Sequence, residues 1–199
     1  MCSSDLAHQQ RFYGLHYDPN TEVLVTAGAT EALAATLLAL LDTGDEVVVL
    51  EPMFDSYAPC IAMAGAMARP VTIRPPHYAI DPDELRAAFS AKTKLVLLNT
   101  PHNPTGRVFS RAELEIITDL VKEFDVTLVT DEVYEHLVFD GLTHISPATL
   151  PDMRDRTVVI SSGGKTFNTT GWKVGWITAP APLVAAVRTA KQFLTYVSS

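Results

Sequence analysis

Two lysines lie close together in the stretch Ser161–Trp176, which reads S-S-G-G-K-T-F-N-T-T-G-W-K-V-G-W. Lys165 sits in a Ser/Gly-rich loop directly after the apolar run Thr157–Ile160, and Lys173 stands between Gly171 and Gly175. An amine at the end of a buried strand is partly desolvated, gives up its proton more easily and becomes a nucleophile toward carbonyl groups. Further upstream, Gly28, Ala29 and Thr30 open a helix, Phe54 follows an apolar run, and Asn103, Asp131 and Tyr134 stand where other apolar runs stop. The free amides of Gly28–Thr30, the Ser162 hydroxyl and the Lys173 charge suit a phosphate. Phe54 offers a flat face to an aromatic ring, and Asp131 suits a ring nitrogen that must stay protonated. Asn103 and Tyr134 suit a phenolic oxygen, and Lys165 suits an aldehyde. Each has an ordinary alternative: Lys165 a solvated loop residue, Gly28 a turn, Phe54 a core aromatic, Asn103-Pro104-Thr105-Gly106 a β-turn, Asp131 a helix cap and Tyr134 a surface tyrosine.

The elements that carry these residues decide between the two readings. Strands are expected at Glu22–Thr26, Val47–Leu50, Ala68–Arg74, Lys94–Leu98, Val126–Thr130, Thr157–Ile160 and Val174–Thr178. Helices are expected to about Leu41, near Ser56–Gly65, from Asp81-Pro82-Asp83-Glu84, from the capping box Ser110-Arg111-Ala112-Glu113, and from Pro180 onward, still running at Ser199. Strand and helix alternate from Glu22 to Asp131, which predicts a parallel sheet. The strands are continuous runs of Val, Leu and Ile, as when helices cover both faces. The seventh follows the sixth without a helix and is expected antiparallel. The fold class is therefore α/β, a three-layer sandwich around a mostly parallel seven-stranded sheet. In such sheets ligands bind beyond the carboxyl ends of the strands, and every strand except the third brings one of the residues above to that edge. Taken as one pocket, they describe pyridoxal 5′-phosphate, whose protein partners are a lysine for its aldehyde and an acid for its pyridine nitrogen.

Composition narrows the class of function. The chain has 199 residues, 47% hydrophobic and 19% charged, enough for one well-buried domain. A net charge of −8 disfavours nucleic acid and anionic membrane surfaces as partners. No run approaches a membrane span. Cys2 and Cys60 make no disulfide framework, and the six histidines (His8, His16, His77, His102, His136 and His144) show no metal-ligand spacing. They read as structural or solvated, and Glu31, Glu51 and Glu135 read as caps and surface groups. Met1–Leu6 lacks the basic and apolar regions of a signal peptide and matches nothing that follows. It is expected to be a non-native scar, and the protein to be cytoplasmic.

The chain resembles the class I/II aminotransferases, pyridoxal-phosphate enzymes of fold type I. The likeness rests on T-A-G-A-T-E-A-L, E-P-M-F-D-S-Y, N-T-P-H-N-P-T-G, V-T-D-E-V-Y-E and the lysine-bearing stretch above, in that order. It implies that Lys165 bonds to the cofactor aldehyde and shuttles protons, and that Asp131 holds the pyridinium proton. Asn103 and Tyr134 would then hold the phenolic oxygen. Gly28, Ala29, Thr30, Ser162 and Lys173 would hold the phosphate, and Phe54 would stack on the ring. Many members have arginine where Lys173 stands, and lysine is a point charge without the bidentate fork. The resemblance further implies cis bonds at Glu51–Pro52 and Asn103–Pro104, amino acid and 2-oxo acid substrates, and a homodimer. Within the family the likeness is to glutamine/kynurenine transaminases and to succinyldiaminopimelate aminotransferases of lysine biosynthesis, with 2-oxoglutarate as partner substrate. Family members are longer at both ends. Residues 7–180 are therefore expected to form the cofactor-binding large domain, and residues 181–199 to begin the helix leading to a C-terminal small domain. The chain as given would hold the cofactor without turning over. Two other readings share the motifs: a carbon–sulfur β-lyase, and the effector domain of an aminotransferase-like transcription regulator.

Overall fold

The computed structural model describes the backbone of residues 2–196 and the side chains of residues 7–196. Seven strands, β1 (Val23–Ala27), β2 (Glu46–Glu51), β3 (Met67–Thr72), β4 (Thr93–Asn99), β5 (Thr127–Asp131), β6 (Thr157–Ser162) and β7 (Val174–Thr178), form one sheet in the order β1-β7-β6-β5-β4-β2-β3. Strands β3, β2, β4, β5 and β6 pair in parallel, and β7 runs antiparallel to both β6 and β1. The seventh strand is thus antiparallel, as expected, although its connection to β6 holds one turn of helix where none was expected. The alternation of strand and helix gives β1 its direction but not its neighbour. It lies at the far edge beside β7, with four strands between it and β2.

Helices α2 (Gly28–Leu40), α3 (Tyr57–Met63) and α7 (Ala181–Leu194) cover one face, and α4 (Pro82–Ala87) and α5 (Arg111–Glu123) the other. Successive strand residues point to opposite faces. Val47, Val49, Leu95 and Leu97 therefore pack with Leu33, Leu37, Ile61, Val184 and Val187. Val48, Leu50, Val96 and Leu98 pack with Leu85, Leu114, Ile117 and Val121. Two covered faces are the reason the strands carry no polar alternation. The helix starts follow local chemistry. Asp81 accepts from the backbone N–H of Asp83 and Glu84 at the start of α4, and Ser110 and Glu113 form a capping box on α5.

Several boundaries differ from the expectation. Helix α1 (Cys2–Tyr13) occupies a stretch read as scar and polar lead-in; the side chains of residues 1–6 lie outside the described residues. The third strand runs Met67–Thr72 rather than Ala68–Arg74, because Arg74 leaves the sheet to bridge Ala79 across a Pro75–Pro76 turn. The last helix closes at Leu194, capped by the Thr195 N–H on the Lys191 carbonyl, instead of running on. Its Val184 and Val187 are fully buried against α2. The Glu51–Pro52 and Asn103–Pro104 bonds are both cis, as are Pro75–Pro76 and Thr100–Pro101.

Candidate functional site

At the carboxyl edge of the sheet lies a cavity of about 560 Å³, within the ~300–1,000 Å³ typical of ligand pockets. All ten residues singled out from the sequence line it: Gly28, Ala29, Thr30, Phe54, Asn103, Asp131, Tyr134, Ser162, Lys165 and Lys173. Six strand ends supply them. The parallel block ends its strands on one side, and β7 and β1 bring Lys173 and the α2 N-terminus to the same side by pairing antiparallel and in register, Thr26 opposite Gly175.

The floor is a buried carboxylate. Asp131 ends β5, and its Oδ2 accepts a hydrogen bond of 2.7 Å from the Tyr57 hydroxyl. Burial pushes the Asp131 carboxyl above its ordinary pKa; the Tyr57 hydroxyl and the Val133 N–H pull it back, Glu132 adds to the rise and Lys165 opposes it. Burial, reinforced by Asp131, raises the Tyr57 phenol well above its usual value, so it stays a donor. The Tyr57 ring meets Phe54 edge-on with centroids 5.7 Å apart, tying the aromatic wall to the floor. Asn99 ties the next pair: its Nδ2 donates to the Asp131 carbonyl at 2.9 Å, and its Oδ1 accepts the Asn103 N–H at 2.6 Å. Tyr57 and Asn99 were missed from sequence. The one cue to them was their place inside two of the motifs, E-P-M-F-D-S-Y and N-T-P-H-N-P-T-G.

The rim is cationic. Lys165 stands in α6 (Gly163–Thr166), one helical turn rather than an open loop. Its Nζ lies 5.7 Å from the centroid of the Tyr134 ring. The lysine is exposed at the cavity mouth, where a desolvated amine was expected, because the short helix lifts it off the strand end. Lys173 adopts a left-handed backbone, φ 52°, as it caps the turn before β7. Gly28, at φ +78°, makes the sharp turn from β1 into α2. Gly175 packs so closely beneath it that an added Cβ would lie 2.4 Å from the Gly28 carbonyl carbon and 2.7 Å from the Ala29 nitrogen. Glu31, expected to be a cap or surface group, is buried and does cap: its Oε2 accepts the Ala27 N–H at 2.5 Å, while Lys191 Nζ lies 3.5 Å from Oε1. Glu135, likewise expected to be a cap or surface group, is also buried.

A helix N-terminus with a cation and a hydroxyl, a flat aromatic wall, a buried carboxylate and an amine at the mouth fit a phosphorylated, aldehyde-bearing pyridine. The sequence model for aminotransferase class I and II matches residues 3–199. The chain belongs to this family. Its members use pyridoxal 5′-phosphate, and the sheet is that of fold type I enzymes. The protein named "Probable N-succinyldiaminopimelate aminotransferase" of Mycobacterium tuberculosis is 50% identical over 193 residues, 96% of this chain and 49% of that protein. The methionine aminotransferase of Escherichia coli is 43% identical over 187 residues, 94% of this chain and 48% of that one. The solved structure of the M. tuberculosis N-succinyldiaminopimelate aminotransferase superposes with a TM-score of 0.96 at 48% identity, covering 98% of this chain and 52% of that structure. The chain thus spans about half the length of the curated relatives it matches.

Proposed function

We propose that the chain is the cofactor-binding part of an aminotransferase that carries an amino group from an amino acid to a 2-oxo acid. The observation that carries this reading is the convergence of ten residues from six strand ends on one cavity with Asp131 at its floor and Lys165 at its mouth. Bound there, pyridoxal 5′-phosphate supplies an electron sink for charge developing at the substrate Cα. Asp131 keeps the proton on the ring nitrogen; a positive charge placed against this carboxylate stabilises its ionised form and offsets the burial that otherwise raises its pKa. Tyr57 holds that carboxylate in place. Asn103 and Tyr134 would hold the phenolic oxygen, and Phe54 would lie against the ring. The amides of Gly28–Thr30, Ser162 Oγ and Lys173 Nζ would bind the phosphate. Lys165 would hold the aldehyde, and its Nζ is the base that would take and return the substrate Cα proton.

Residues 7–180 form the cofactor domain in this reading, with 181–199 leading onward to a small domain. The full protein acts as a cytoplasmic homodimer. Exposed Trp172 and Phe193, at 78% and 84% of their surface, favour burial against further protein. Among the described residues no helix is long and apolar enough to cross a membrane. For substrate, the 50% identity to the M. tuberculosis protein supports N-succinyldiaminopimelate with 2-oxoglutarate, a step of lysine biosynthesis. The test is an amino-donor panel on the full-length protein with 2-oxoglutarate as acceptor: N-succinyldiaminopimelate, methionine and kynurenine. The succinylated donor should give the highest kcat/KM; preference for methionine or kynurenine refutes the substrate. Pyruvate release from a cysteine conjugate without any keto-acid acceptor, and with no transamination, refutes the reaction.

A further inference from the structure

Away from the cavity, a cluster of two histidines and a glutamate joins α1 to the turn that follows β5. His8 projects from α1, and Glu135 and His136 come directly after Tyr134. The Nε2 atoms of His8 and His136 are 2.5 Å apart, and His8 Nε2 lies 3.8 Å from Glu135 Oε2. One ligand atom from each of the three residues falls within 4.8 Å of the other two. The sequence gives no sign of this, because the two histidines are 128 positions apart.

Three features distinguish the cluster from an ordinary histidine contact. Two ring N–H groups cannot face each other across 2.5 Å, so at least one Nε2 turns its lone pair toward the other ring, and that neutral form of imidazole is the one that binds a metal. Glu135 is a buried carboxylate whose one ion-pair partner among the described residues is His8. A buried anion needs a permanent cation or a full set of donors. Finally, Glu135 is oriented from behind. The Tyr13 hydroxyl donates to Oε2 at 2.5 Å and the Ser161 hydroxyl to Oε1 at 2.8 Å. Outer donors of this kind fix a ligating carboxylate.

We propose that His8, Glu135 and His136 bind a divalent transition-metal ion of the zinc type, which ties α1 to the turn bearing Tyr134. Two imidazole nitrogens and one carboxylate oxygen suit zinc and leave a fourth position for water, whereas calcium and magnesium take oxygen ligands. Bonds of roughly 2.0–2.2 Å to a tetrahedral ion require the two nitrogens to part by somewhat under an ångström. His136 is only half-buried and can swing outward to allow it. The site is independent of the aminotransferase reading, since none of its three ligands lines the cavity.

The experiment is calorimetric titration of the metal-free 199-residue chain with Zn²⁺. One equivalent should bind saturably and raise the melting temperature. His8→Gln and His136→Gln should each weaken the affinity at least about tenfold, while His77→Gln, on an exposed turn, should leave it unchanged. Absence of saturable binding, or binding untouched by both cluster variants, overturns the proposal. If a cluster variant fails to fold, X-ray absorption on zinc bound to the unaltered chain decides. A shell with two imidazoles and a carboxylate oxygen supports the site; sulfur, or a single imidazole, overturns it.

Discussion

Asp131 carries opposing demands. Its burial favours the neutral carboxyl, and its proposed task needs the carboxylate. Asp131→Asn keeps the shape and removes the charge. A hydrogen bond to a charged group contributes roughly 1.5–3 kcal/mol, so cofactor affinity should fall about 10- to 100-fold. Absorbance titration checks this, with an unchanged circular dichroism spectrum as control. Near-normal affinity would remove Asp131 from the site. Tyr57 is the companion test. The folded-state pKa of Asp131 is raised, so its contribution to stability is full below the unfolded value and is lost as pH rises through the folded one. Tyr57 holds that folded value down; in Tyr57→Phe it climbs further and the loss extends to higher pH. The stability deficit of the variant, from urea unfolding of the cofactor-free chain, should therefore be greater at about pH 9 than at about pH 4. A deficit equal at both would mean that the hydroxyl does not act through the carboxylate.

At the scale of elements, the anion-binding end of the cavity depends on the close approach of β7 to the β1–α2 turn. Gly175 permits it. Gly175→Ala drives a methyl into the Gly28 and Ala29 backbone and should cost about 1–3 kcal/mol, the range for overpacking. Inorganic phosphate should also bind more weakly. Gly171→Ala, where an added Cβ meets nothing within 4 Å, is the control and should be close to neutral. Equal effects of the two would contradict the packing account. What could be read from sequence follows the same division. Each motif is local, and a parallel sheet brings strand ends to one edge whatever the strand order, so ten of the residues that line the cavity were legible, though not Tyr57 and Asn99. The position of β1 was not, because alternation fixes direction and leaves lateral order open. Helix α1 hides because its mean hydropathy is low and its polar Gln9 is buried. The Tyr57–Asp131 bond joins residues 74 positions apart, and no periodicity marks such a pair.

Over the whole molecule, the sheet is a frame that gathers chemistry from Gly28 to Lys173 onto one rim, and two packed faces hold it there. The central claim is that this rim is a pyridoxal-phosphate site with Lys165 as its amine. The two lysines at the mouth differ in their surroundings. Lys165 faces Tyr134 across 5.7 Å, on the side of Asp131. Lys173 lies beside Gly28, at the α2 N-terminus. Incubating the 199-residue chain with pyridoxal 5′-phosphate, reducing with borohydride and mapping the labelled peptide separates them. The account predicts a visible absorbance band before reduction, one phosphopyridoxyl group per chain on Lys165 afterwards, and loss of both in Lys165→Ala. A label on Lys173, or one spread over surface lysines and unchanged in Lys165→Ala, would contradict it.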